Sequence, residues 1–566
     1  MSDSPKWTRR SFLEAVGRAG GAAAVYETMT AMGLLRMPTA FAAPPKLPDG
    51  HGELVVIVGA GIAGLTAAYE LLQANYKVII LEAKAQAGGR SFTVRNGDVI
   101  EQIGREPQTC KFRNDPDFYL NAGPGRLPYH HTAILHYCTL LGVPLEVYTM
   151  MTRANFFQRD ESWNGASMVN RRIANDTRGW IAELLAKVVH RGILDAELRA
   201  KSVNKKDFLS LLSVFGDVDP DDHYDYLGSS RSGYAVEPGI ESCGKLLQPL
   251  TLSDLVSSNF WMDRFYQAEE YEWQPTLFQP VGGMDKIWRA FLQSPVIRDC
   301  NCIRYRRELA GVYNVTEGGK PKVRVMHRPS GSSGKGEEII ADWCISTIPL
   351  PILAKIDDNN FTDEYKKAIK AANFADTCKV GWQTRDRFWE TKDQMYGGIS
   401  YTTDPITQMW YPSWGYFGKN GGVLTGAYNY DKNARDLAKQ ELRERLITAM
   451  NGGMKLHPDF KDHVDIDLGL SIAWKQVPYQ LGGWADDWKC EQPVYERLLK
   501  REGQFWVAGD QVSFLSGWQE GAVRSALHVI NGIAGLPVEK ALLKAAPVPT
   551  SKKKAPGIRR RTRGLP

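Results

Sequence analysis

The sequence predicts a mixed α/β fold, and three observations carry that prediction. A β-branched run turns on spaced glycines into an apolar helix, a second such run ends on an acid, and the length and composition exclude fibrous and disordered classes. In the first run, Glu53-Leu54-Val55-Val56-Ile57-Val58 leads directly into Gly59-Ala60-Gly61-Ile62-Ala63-Gly64, and Leu65–Leu72 follows as an apolar helix. The first glycine permits a tight turn, the second lets backbone approach a pyrophosphate, and the third lets helix and strand pack closely. Amides at the helix N-terminus are then free to face phosphates. The second run, Lys77–Leu81, ends on Glu82, eighteen residues after Gly64, where an acid should meet ribose hydroxyls. A glycine motif alone is weak, but strand, turn, helix, strand and acid in this order predict a dinucleotide site.

The chain has 566 residues, of which 43% are hydrophobic and 24% charged, enough for several domains with large cores. Its net charge of +6 sits at the ends. Ser551–Pro566 holds seven bases and no acid, and residues 1–42 hold five bases and three acids, so the body between has three more acids than bases. A basic nucleic-acid-binding face is not indicated, and the tail reads as a disordered end. Thr8-Arg9-Arg10-Ser11-Phe12-Leu13, with Ala40-Phe41-Ala42 further on, resembles a bacterial twin-arginine export signal, which implies a periplasmic or secreted protein. No other stretch is long and apolar enough to be read as a transmembrane segment. The eight cysteines include one close pair, Cys300 and Cys302, with no second pair to complete a zinc spacing, so no metal is expected.

The residues after Glu82 narrow the dinucleotide. Ala83-Lys84-Ala85-Gln86-Ala87-Gly88-Gly89-Arg90 resembles the flavin amine oxidase family, in which the ribose-binding acid is followed by a Gly-Gly-Arg turn. The resemblance implies FAD and extends over roughly residues 50–540 as scattered motifs. It implies a Rossmann-like FAD-binding domain of the glutathione-reductase/amine-oxidase type, with a mixed-sheet substrate domain and a helical subdomain. Gly59, Gly61, Ala63, Gly64, Glu82 and Ala83 would hold the adenosine and pyrophosphate end. Gly89 would let backbone pass beside the cofactor, and Arg90 would neutralise phosphate bidentately. Gln279–Met284 and Asp342–Leu350 resemble the family's segments returning to the FAD domain. Leu309 is a candidate for packing near the adenine. In Phe505-Trp506-Val507-Ala508-Gly509-Asp510, Gly509 and Asp510 would meet the ribityl or phosphate region. The helix opening at Trp518, Gln519 and Ala522 would lie near the isoalloxazine, where its N-terminal dipole stabilises negative charge.

Substrate class rests on other segments. Asn121–Pro128 resembles the turn of L-amino acid oxidases whose arginine clamps the substrate carboxylate, which makes Arg126 the clamp and puts both Gly125 and Arg126 beside the cofactor. Tyr428, in Gly422–Tyr428, aligns with a tyrosine that bonds the same carboxylate. Lys379, in Cys378-Lys379-Val380-Gly381-Trp382, resembles the lysine that reaches flavin N5 through a water. Gly517 would accept from the substrate amine, with Trp518 as a wall and Trp484 and Trp410 as further lining. No catalytic base is identifiable, and His130, His131 and His223 read as surface residues.

The expected organisation is an FAD-binding domain from 45–128, 276–350 and 490–545, a helical subdomain at 129–234 and a substrate domain from 235–275 and 351–489. Residues 1–42 would be the signal and 546–566 the tail. The implied activity is oxidation of an L-amino acid, with apolar or aromatic side chains favoured. The products would be a 2-oxo acid and ammonia, with O2 reduced to H2O2, in a homodimer. An L-amino acid 2-monooxygenase, a monoamine or polyamine oxidase, and a flavoprotein with a degenerate site remain the alternatives.

Overall fold

The computed structural model describes residue 44 and residues 46–537, apart from 222, 335 and 487–491. The twin-arginine segment and the basic tail lie outside the described residues. No helix among the described residues is long and apolar enough to cross a membrane.

A five-stranded sheet forms the base of the molecule, in the order Ile303–Tyr305, Lys77–Glu82, Leu54–Val58, Trp343–Ser346, Phe505–Val507. All of its pairings are parallel. Parallel strands need crossovers and are covered on their faces, and the apolar residues of these strands are accordingly buried. Ile62–Gln73 leaves the first strand as the glycine motif predicts and packs in one core with Gln519–Ile533. Gly64 is the residue that allows this: a Cβ there would sit 2.1 Å from the Gly59 carbonyl oxygen. Gly59 itself has φ +105°, and its turn is braced by Thr347 Oγ1, which donates to the carbonyls of Val58 and Gly59.

A seven-stranded mixed sheet stands against this base. Its order is Ser167–Val169, Phe156–Gln158, Ile399–Thr402, Gln408–Trp410, Val423–Tyr430, Thr377–Thr384, Val464–Ala473. Two of these strands come from the 129–234 segment, which the sequence reading treats as helical. They join because Phe156–Gln158 pairs in parallel with Ile399–Thr402 and carries Ser167–Val169 with it. The helical part of that segment is Asn170–His190 with Asp195–Ala200 and Lys205–Gly216. Its long helix reaches Lys205–Gly216 through small residues, since a Cβ on Gly216 would fall 2.1 Å from that of Ala182. A three-stranded sheet of Leu127–Pro128, Leu277–Pro280 and Leu145–Tyr148 ties the chain just after Arg126 to the return segment.

Candidate active site

A cavity of about 560 Å³ runs between the two large sheets. It is lined by Glu82, Ala83, Leu309 and Arg328, by Gly61, Ala63, Gly89 and Arg90, and by Tyr428, Trp484, Gly517 and Trp518. Gly59, Gly509, Asp510, Gln519 and Ala522 complete the lining proposed from sequence. The residues fit an extended dinucleotide. A Cβ built on Gly61, at the start of Ile62–Gln73, meets nothing within 4 Å, so the backbone opens onto free space where helix amides point. Glu82 caps the second strand inside the cavity: its two carboxylate oxygens accept from the amides of Ala60 and Lys84, both at 2.8 Å. Burial pushes its pKa up, and those two amides oppose the shift.

Arg90, expected from sequence at the pyrophosphate, and Asp510, expected at the ribityl or phosphate region, are joined in the structure. The guanidinium of Arg90 pairs with both carboxylate oxygens of Asp510 and donates to the Gly483 carbonyl at 2.8 Å. Asp510 also accepts from the amide of Gly517 at 2.9 Å. One carboxylate therefore connects the Gly-Gly-Arg turn to the loop that precedes Trp518. Three of the proposed cofactor contacts, Gly64, Gly125 and Arg126, stand outside the lining. Gly64 acts through helix packing, and Gly125 makes room for Trp410, whose ring would lie 3.0 Å from an added Cβ.

The register of the roof sheet sets Lys379 directly opposite Tyr428, which puts both side chains on one face. Lys379 is 1% exposed. Its ammonium nitrogen donates to the carbonyls of Asn121 at 2.9 Å and Gly123 at 2.7 Å, and it lies 4.6 Å from the Tyr428 ring and 4.7 Å from the Trp410 ring. Burial first, and the nearby Arg126 second, bring its pKa down to about 7. Trp474 Nε1 donates to the intervening Ala122 carbonyl at 2.9 Å. These donors fix the backbone of 121–123, which forms the cavity wall at Ala122, Gly123 and Pro124.

Arg126 lies beyond that wall and is 7% exposed. Its guanidinium carbon is 4.4 Å from the Trp273 ring, 4.6 Å from Trp410 and 5.6 Å from Tyr148. No carboxylate among the described residues pairs with it, and its Nε and Nη1 are buried without a hydrogen-bond partner. A buried cation surrounded by rings keeps its charge through their quadrupoles, while Nε and Nη1 stay free. Such donors are costly unless something binds them. Burial raises the phenol pKa of Tyr428, whose ring meets Trp410 edge-on at 5.0 Å and Tyr430 at a tilt at 4.7 Å.

Two features were not read from sequence. Trp273 lies in Tyr271-Glu272-Trp273-Gln274-Pro275, a stretch with no motif, and only the fold brings it to Arg126. The reading of His131 as a surface residue is corrected: it is 1% exposed, its ring lies 4.9 Å from that of Trp518, and neither ring nitrogen has a partner. Burial drives its pKa down to about 3, so it is neutral. The apolar helix Thr132–Leu140 that starts beside it packs inward and carries the ring with it; the polar His130-His131 dipeptide conceals this. His223 is exposed.

A dinucleotide cavity beneath a roof sheet that carries a buried lysine, with a buried arginine on the segment leading into the three-stranded sheet, defines a flavoprotein oxidoreductase frame. The chain belongs to the flavin-containing amine oxidoreductases, whose family profile matches residues 62–530. Its cofactor is a flavin, and the dinucleotide architecture makes that flavin FAD. Among relatives, the flavin-dependent L-tryptophan oxidase RebO of Lentzea aerocolonigenes is 25% identical, covering 86% of this chain and 98% of that protein. An L-amino-acid oxidase of Siganus canaliculatus is 24% identical over 85% of each chain. Cyclohexylamine oxidase from Brevibacterium oxydans IH-35A superposes with a TM-score of 0.55 at 16% identity, covering 87% of this chain and 99% of the other. Putrescine oxidase bound to putrescine gives 0.54 at 15%, covering 85% and 99%. At that identity the two structures establish a shared fold.

Proposed function

We propose that the protein oxidises L-amino acids to 2-oxo acids, consuming O2 and water and releasing ammonia and H2O2. The observation that carries this reading is Arg126, a buried guanidinium with two bare nitrogens, Nε and Nη1, and no acidic partner among the described residues. An amine without a carboxylate would leave that charge unmatched, whereas an α-carboxylate pairs with it bidentately. The relatives named as L-amino-acid and L-tryptophan oxidases support the same reading.

FAD, when bound, supplies the two-electron acceptor. The protein supplies placement. Arg126 takes the carboxylate, and the Tyr428 hydroxyl, held protonated by burial, donates to it. Gly517, with its amide held by Asp510, presents its carbonyl to the amine. Lys379 as a neutral amine spends both N–H groups on the carbonyls of Asn121 and Gly123 and retains a lone pair on Nζ that can hold a proton. Positioning of this kind supplies much of the rate. The rings of Trp484, Trp518, Tyr428 and Tyr430 around the site favour an apolar or aromatic substrate side chain.

An aerobic screen of the twenty L-amino acids, following H2O2, ammonia and CO2 together, tests the proposal. Peroxide and ammonia in equal amounts without CO2 support it. CO2 with an amide product and little peroxide would instead make the protein a 2-monooxygenase, and turnover of simple amines alone would remove the clamp.

A further inference from the structure

Trp273 lies where two parts of the site meet. Its ring is 4.4 Å from the Arg126 guanidinium carbon and 5.0 Å from the ring of Trp518, at an interplanar angle of 51°. Trp518 lines the cavity and Arg126 does not, so Trp273 joins the arginine to the cavity wall at Trp518, as Trp410 joins it to the wall at Tyr428. The segment that carries it is fixed at several points. The Trp273 amide donates to the Glu270 carbonyl at 2.8 Å, Gln274 Nε2 donates to the Glu269 carbonyl at 2.6 Å, and the Tyr271 ring lies 4.3 Å from that of His130.

We propose that Trp273 is a positioning residue that, with Trp410, holds Arg126 in the orientation that meets a substrate carboxylate. The inference rests on the amino acid reading above. Physically, the site must keep a buried cation in place without satisfying its donors. A carboxylate partner would neutralise the charge, and a carbonyl would occupy the N–H groups that the substrate needs. Indole faces attract the cation and accept no strong hydrogen bond, so they meet both requirements. Removing one ring leaves the guanidinium free to tilt into the vacated space. The cost then falls on carboxylate binding.

The test compares Trp273→Leu and Trp273→Phe with wild-type holoenzyme, with flavin content recorded. Sodium benzoate is titrated against the flavin absorbance spectrum, and kcat and KM are measured for the best amino acid of the screen. Trp273→Leu should raise the benzoate Kd and the amino acid KM at least ~10-fold while kcat stays within about threefold. Trp273→Phe should bring the Kd back within about threefold of wild type. A benzoate Kd within about twofold of wild type in the Leu variant, a loss borne wholly by kcat, or a Phe variant no better than Leu would each overturn the proposal. If Leu costs the bound flavin, Trp273→Met takes its place under the same criteria. A wild-type enzyme that neither binds benzoate nor oxidises any amino acid would remove the amino acid reading and this inference with it. That result is distinct from a wild type that does both beside an unaffected variant.

Discussion

Removing the Arg126 guanidinium is the sharpest perturbation, because the structure says what should and should not change. Two of its nitrogens are buried and unpartnered, and charge-assisted hydrogen bonds are worth ~1.5–3 kcal/mol each. Not all of that appears in transition-state stabilisation, since water re-enters a truncated site. A net loss of ~3 kcal/mol is expected for Arg126→Ala, which lowers kcat/KM at least ~100-fold. Stability moves in a different way. The deletion removes a buried charge that no acid offsets, which is favourable, and opens a void beside Trp273 and Trp410, which is not. These contributions oppose, so the folded protein should survive with its flavin. The assay is steady-state peroxide release with bound flavin quantified by absorbance, together with anaerobic flavin bleaching by the same substrate. Arg126→Lys, which keeps the charge but loses the planar fork, should recover only part of the loss. A fall of less than about threefold in kcat/KM, or one accounted for by lost flavin, would refute the clamp.

The pH dependence follows from Lys379. With its pKa near 7, kcat/KM should rise through that pH as the amine becomes neutral, and Lys379→Met should abolish this limb. The same burial has a stability consequence: between about 7 and the ordinary value of 10.5 the unfolded chain holds more protons at this site than the native one. Wild type should therefore gain stability over that rise in pH relative to Lys379→Met, measured by denaturant melts. Two glycine substitutions should separate folding from cofactor binding. Gly64→Ala forces helix and strand apart and should cost more than ~2 kcal/mol of stability, whereas Gly61→Val enters the cavity and should lower flavin occupancy with little effect on the apoprotein. Asp510→Asn breaks the pair with Arg90 and weakens the hold on the Gly517 amide, so flavin release on dilution should accelerate about tenfold or more. Replacing Arg9 and Arg10 by Lys should leave the protein in the cytoplasm if the twin-arginine segment directs export, as cell fractionation would show.

What could be read from sequence follows the range of the interactions involved. The dinucleotide frame was legible because its requirements are local: Gly59, Gly61 and Gly64 act within one turn, and Glu82 follows at the end of the next strand. Lys379 was legible for a related reason, since a lysine between apolar strand residues needs a partner, and the fold provides two carbonyls. The misses are non-local. Nothing near Trp273 indicates that it will meet Arg126, 147 positions earlier, and nothing in Arg90 or Asp510 indicates that they neutralise each other across 420 positions. His131 shows how local polarity misleads, because the apolar helix that begins beside it draws the ring inward against Trp518. Short-range chemistry thus identifies the cofactor, while the surroundings of Arg126 are assembled from distant segments. If Trp273 positions Arg126 as proposed, loss of that one ring weakens the carboxylate clamp while every dinucleotide motif stays intact, so the motifs that reveal the family carry little information about its substrates.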